Sequence, residues 1–139
     1  MIEIGELRAD EADAAVALWQ ACGLTRPWND PHADLALALA SPGSTVLAGR
    51  VDGGLIATVM VGCDGHRGWV YYLAVALQAQ RAGHGAAMMR GAEAWLRERG
   101  APKLNLMVRA DNSAAVGFYE TIGYAASDVM VLQKVLTDA

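Results

Sequence analysis

A strand-like run, Trp69 to Val75, gives way to a helix-like run through the connection Gln80-Arg81-Ala82-Gly83-His84-Gly85-Ala86. This β-loop-α unit constrains the fold most, because it demands a strand, a turn that most residues resist, and a helix beginning directly after it. Glycines at 83 and 85 allow that turn and let its N–H groups approach a ligand closely. The helix behind it aims a partly positive N-terminus at the same place. The pattern fits an anion-binding turn, and an ordinary Gly-rich turn before a helix fits it equally well.

The rest of the chain reads in the same terms. Ile2 and Ile4 alternate with Glu3 and Gly5 as a short strand with one wet face. Asp10 is expected to cap a helix from Glu11 to about Ala21, and Asp30-Pro31 to open a second one that Ser41-Pro42-Gly43 ends. Thr45–Gly49 and Leu55–Val61 flank Val51-Asp52-Gly53-Gly54, a hairpin whose turn needs positive φ angles. After the Gly-rich connection, Met88, Met89, Ala92, Trp95 and Leu96 form one apolar helical stripe, which Gly100 terminates. A strand from Lys103 to Val108, a helix capped at Asp111-Asn112 and running to Ile122, and a last strand at Val129–Leu132 and Val135-Leu136 complete the order. The expectation is α/β, an α+β mixed sheet with helices on both faces. With 139 residues and no linker or repeat, residues 1–139 are expected to form a single domain.

Composition narrows the function. An apolar content of 54% excludes disorder, and no run approaches the ~20 apolar residues of a membrane helix. The net charge of −4 argues against nucleic acid as the main partner. The charge is uneven: residues 1–70 carry a net −5 and residues 71–139 a net +1, so an anionic ligand favours the second half and a cationic one the first. The N-terminus lacks the basic start and apolar core of a signal peptide. Cys22 and Cys63 form no C-x-x-C pair and read as small buried residues, so the chain is expected in the cytoplasm, without a metal.

Val75 is followed five residues later by Gln80-x-x-Gly83-x-Gly85, and then by Asn112-x-x-Ala115-x-x-Phe118-Tyr119-x-x-x-Gly123-Tyr124. Both motifs, in that order and separated by a helix and a strand, resemble the GNAT superfamily of acetyl-CoA-dependent N-acetyltransferases. The segments 26–31 and 62–68 look more specifically like its bacterial YpeA-type subgroup. The resemblance implies a GNAT acyl-CoA N-acyltransferase fold, with a mostly antiparallel central sheet. In it strands 69–75 and 103–108 run parallel and splay apart around pantetheine. Backbone groups of Leu73 and Val75 would bond its amides, and Gln80, Arg81, Ala82, Gly83, His84, Gly85 and Ala86 would hold the pyrophosphate. Asn112 would contact the acyl-CoA, a role compatible with capping its helix.

The resemblance gives Tyr119 the role of general acid toward the departing thiolate. A phenol (pKa ~10) and a thiol (~8.5) are matched closely enough for that transfer. The base is open. Some relatives that acetylate protein N-termini carry a glutamate where this chain has Met107, which cannot take a proton. Asp64, His66, Asn105 and the tyrosines 71 and 72 acting through water are the candidates. Arg26, Trp28, Asn29 and Asp30, between the first two helices, are the candidate acceptor wall. The implied activity is direct transfer of an acetyl group from acetyl-CoA to a primary amine on a small molecule or peptide. The acting species is a monomer or homodimer, and a non-catalytic acyl-CoA sensor is the rival reading.

Overall fold

The computed structural model describes residues 1–137. The chain divides into two compact units, Met1–Met107 and the residues from Val108 onward.

The first unit is built on five strands. β1 (Glu3–Glu6), β2 (Ser44–Val51), β3 (Gly54–Cys63) and β4 (Gly68–Val75) pair antiparallel in sequence order, and β5 (Leu104–Asn105) adds parallel to β4. The β2–β3 turn takes its left-handed pair at Asp52 (φ 52°) and Gly53 (φ 80°), as the sequence predicts.

Alternation along β2 sorts residues onto two faces. Val46 and Ala48 join Trp19, Val16 and Ala15 of α1 (Ala12–Ala21) and Leu35 and Ala38 of α2 (Pro31–Ala40) in one core. On the opposite face Leu47 and Gly49 approach α3 (His84–Glu98), whose stripe Met88, Met89, Ala92, Trp95 and Leu96 is buried throughout. The mixed α/β sheet therefore has helices on both faces. Each large apolar side chain so buried contributes about 1.5–3 kcal/mol.

Asp30 caps α2 as expected, its Oδ1 accepting from the N–H groups of His32 (3.0 Å) and Ala33 (3.2 Å), with Pro31 in the first turn. Asp10 does not cap α1. It lies in a 3-10 turn, Ala9–Glu11, and Glu11 instead accepts the Arg8 N–H at 2.8 Å. The buried Glu11 carboxylate also takes two bonds from Arg50, of 2.6 and 2.9 Å, fastening that turn to β2.

The second unit contains α4 (Ser113–Thr121), capped by Asn112, whose Oδ1 accepts from the Ala115 N–H at 3.1 Å. The expected last strand at 129–136 does not form. Val129, Met130, Val131, Leu132, Val135 and Leu136 are exposed, and this segment is not among the strands of the sheet. Apolar alternation favours a strand only where a neighbouring backbone completes the ladder. The strand expected over 103–108 is likewise reduced to Leu104–Asn105.

Candidate functional site

β4 changes course halfway along. Thr58 pairs with Ala74 and Met60 with Tyr71, so one residue of β3 faces two of β4, Tyr72 and Leu73. Tyr72 absorbs this bulge with a left-handed backbone (φ 53°), a conformation costing a non-glycine residue roughly 1–2 kcal/mol.

The bulge reverses the parity of the strand. Before it, the Gly68 N–H donates to Lys103 O (2.8 Å), toward β5, and a side chain at Gly68 would strike Leu96 of α3. Beyond it, the Ala76 N–H donates to Ile56 O (2.8 Å), toward β3, and Ala74 packs in the α1–α2 core. Sixty-eight and seventy-six would point alike in an unbroken strand. The shifted parity aims the backbone groups of Leu73 and Val75 away from β3. On that side β5 pairs only with Gly68 and Trp69, so β4 and β5 part company beyond them.

A 3-10 turn, Leu77–Ala79, carries the chain from the end of β4 into the Gly-rich connection. Gln80 Nε2 donates to Val75 O (3.0 Å), folding the loop onto the strand end. Arg81 (φ 66°) and Gly83 (φ 84°) are both left-handed, and Gly83 is the cap residue of α3 with no side chain bonding the helix end. The Ala87 N–H reaches Gly83 O, which leaves the amides of His84, Gly85 and Ala86 ahead of the first helical bond. Successive amides entered through left-handed residues are the kind of backbone arrangement that can receive an anion, and the dipole of a 15-residue helix favours one at the same end. A phosphate-bearing ligand suits it.

The loop between α1 and α2 meets the same strand end, since Cys22 Sγ donates to Val75 O at 3.3 Å. Burial pushes that thiol up from its ordinary pKa. Arg26 is turned inward on its own loop, donating to the carbonyls of Gly23 (2.8 Å) and Thr25 (2.9 Å), and the Asn29 N–H bonds Arg26 O. Trp28 is 71% exposed, so it is not a core residue and its ring is open to a ligand.

Asp64 and His66 lie in the turn before β4. Asp64 accepts from the N–H groups of His66 (2.8 Å) and Arg67 (2.7 Å) and from Trp69 Nε1 (3.3 Å), bonds that hold its carboxyl below the usual range and make it a weak base. His66 is exposed, with Nδ1 3.4 Å from Arg67 Nη1. The Tyr71 phenol is pushed up by burial and, secondarily, by the Asp64 charge. Asn105 stands on β5 opposite Trp69. Tyr72 is committed elsewhere: burial raises its phenol, and the bond its hydroxyl donates to Asp34 Oδ2 at 2.7 Å raises it further, so it is no base at neutral pH. Among the described residues no three His, Cys, Asp or Glu side chains gather as a metal site.

In the second unit, Tyr119 on α4 lies edge-on to Phe118 (5.0 Å) and Tyr124 (5.8 Å). Burial raises its phenol above the ordinary value, which keeps it protonated at neutral pH.

A cluster around Tyr72 went unread in the sequence. Trp19, Asp34 and Thr58 come together there from three elements; the one available signal was a lone threonine inside the apolar run Leu55–Val61.

The acetyltransferase (GNAT) family model matches residues 6–124. An acetyltransferase of Yersinia pestis (strain Pestoides F) is 40% identical over 133 residues, covering 96% of this chain and 94% of its own. Acetyltransferase ECA0875 of Pectobacterium atrosepticum is 40% identical over 137 residues, covering 99% and 97%. A solved structure of AAC(6')-Iy with the bisubstrate analogue CoA-S-monomethyl-acetylneamine superposes with a TM-score of 0.83 over 99% of both chains, at 12% identity, a likeness of fold. This chain belongs to the GNAT acetyltransferase family. No helix among the described residues is long and apolar enough to cross a membrane.

Proposed function

We propose that residues 1–139 act as one catalytic domain that transfers the acetyl group of acetyl-CoA to a primary amine by direct attack within a ternary complex. The observation that carries the reading is the connection of β4 to α3: backbone groups of Leu73 and Val75 turned away from β3 are followed, after a 3-10 turn and the Gly-rich loop, by a helix N-terminus that no side chain caps. A ligand that is an amide-bearing arm ending in a pyrophosphate has matching chemistry. Amides from Arg81 to Ala86 serve the pyrophosphate, Leu73 and Val75 the pantetheine, and Asn112 adds a polar contact.

Tyr119 is the proposed acid. It gives its proton to the sulfur as the C–S bond breaks and the new amide forms, a role open to a phenol that is protonated at neutral pH. The proposed acceptor wall is Trp28 with Asn29, flanked by Arg26 and Asp30. Asp64 is a weak candidate for the base because three donors stabilise its ionised form; His66, or water oriented by Asn105, is the better one. Two free cysteines suit a reducing cytoplasm.

An amine panel assayed by release of free thiol tests the reading, and turnover of at least one primary amine is the expected result. Tyr119→Phe is expected to lower turnover by roughly 10²–10⁴ with acetyl-CoA affinity nearly intact. Unchanged turnover in that variant removes Tyr119 from the chemistry. Tight acetyl-CoA binding with no turnover across the panel favours an acyl-CoA sensor instead.

A further inference from the structure

The left-handed residue in β4 is held at three points by side chains of three other elements. Thr58 Oγ1, fully buried on β3, donates to Tyr72 O at 3.0 Å and accepts from Trp19 Nε1 of α1 at 2.8 Å. The Trp19 and Tyr72 rings stack with centroids 3.9 Å apart and planes 11° from parallel. The Tyr72 hydroxyl donates to Asp34 Oδ2 of α2 at 2.7 Å. Carbonyl, ring and hydroxyl of one residue are thus each fixed by a different partner.

Such fixing is needed because the conformation is unfavourable for tyrosine. Released, Tyr72 would relax toward extended backbone. The extra residue in β4 would then lose its place, and with it the parity that turns Leu73 and Val75 away from β3. Neither Asp34 nor Thr58 needs to touch a ligand for this to matter. Bulges beside active sites commonly re-aim backbone groups in this way.

We propose that Trp19, Asp34, Thr58 and Tyr72 form a clamp that sets the β4 bulge and so positions the Leu73 and Val75 backbone groups for the acyl donor. All four are positioning residues, and the inference rests on the acyl-CoA reading above. Because Asp34 sits on α2 and Cys22 bonds Val75 O, the clamp also ties the α1–α2 loop to the donor strand. A change in that loop therefore reaches the donor site through Tyr72.

The test is calorimetric titration of the full chain with acetyl-CoA, alongside steady-state kinetics and thermal melts. Thr58→Val and Tyr72→Phe are expected to weaken acetyl-CoA binding about tenfold or more, raising its KM while the KM of the amine changes little. Thr58→Ser keeps the hydroxyl and is expected to bind as the unaltered protein does. A merely structural role moves the melting temperature alone, so folded variants with unchanged acetyl-CoA affinity overturn the clamp. Should Thr58→Val fail to fold, Tyr72→Phe, which removes a single oxygen, decides the matter. An unaltered protein that binds no acetyl-CoA overturns the acyl-donor reading itself, a result separable from loss of the clamp alone.

Discussion

Val46, Val59 and Val61 in the first unit and Val129, Val131 and Val135 in the second are the same residue type in similar alternating company, and they end in opposite environments. The first three are fully buried in β2 and β3, whereas the others are 76%, 57% and 80% exposed. β2 and β3 each pair with a strand on both sides, and helices cover both of their faces. Residues 129–136 have the apolar pattern without the ladder. The difference teaches that β-branched alternation records which side chains can share a face, and only a paired backbone turns it into a strand.

Four measurements sharpen or break this contrast. Met89→Ala, in the stripe of α3 that is wholly buried, is expected to cost about 3 kcal/mol in denaturant unfolding. Glu11→Gln is expected to cost about 2 kcal/mol at neutral pH, because it breaks the buried pair with Arg50. Its signature is pH dependence. The bond from Arg50 lowers the Glu11 carboxyl from 4.5 to about 2, so the folded state gains stability from its ionisation above pH 4.5. That gain fades as pH falls toward 2, and melts of the unaltered protein should decline there more steeply than those of Glu11→Gln. Gly83→Ala places a side chain on a backbone at φ 84° and is expected to cost about 1 kcal/mol, with a parallel loss of acetyl-CoA affinity in calorimetry. Leu132→Ser, at an 86% exposed position, is expected to change stability by less than about 0.5 kcal/mol. A cost near that of Met89→Ala would show the segment packed in solution and erase the distinction between the two regions.

Much of the first unit was legible in advance for local reasons. The Asp30-Pro31 cap, the Asp52-Gly53 turn and the five-residue stripe of α3 each follow from contacts a few residues apart, and each stands where it was expected. Asp10 was misread because a nearby cap signal competed with a distant partner. Glu11 was drawn into a pair with Arg50, thirty-nine residues away, and the helix start moved with it. The glycine entry to α3 was legible, yet the bulge that precedes it was not. Nothing in Trp-Val-Tyr-Tyr-Leu-Ala-Val marks a left-handed tyrosine, since that conformation is imposed by Thr58, Trp19 and Asp34 from elsewhere in the fold.

The sequence by itself determined the order of strands and helices from β1 to α4, the glycine entry to α3 and the family to which the chain belongs. These depend on spacing, turn chemistry and motifs that act over short range. Only the tertiary structure decided that β4 reverses its parity at Tyr72, that Cys22 meets Val75, and that Tyr72 is a clamped positioning residue. Those outcomes rest on hydrogen bonds and ring stacking between residues far apart in the chain, whose partners no local pattern announces.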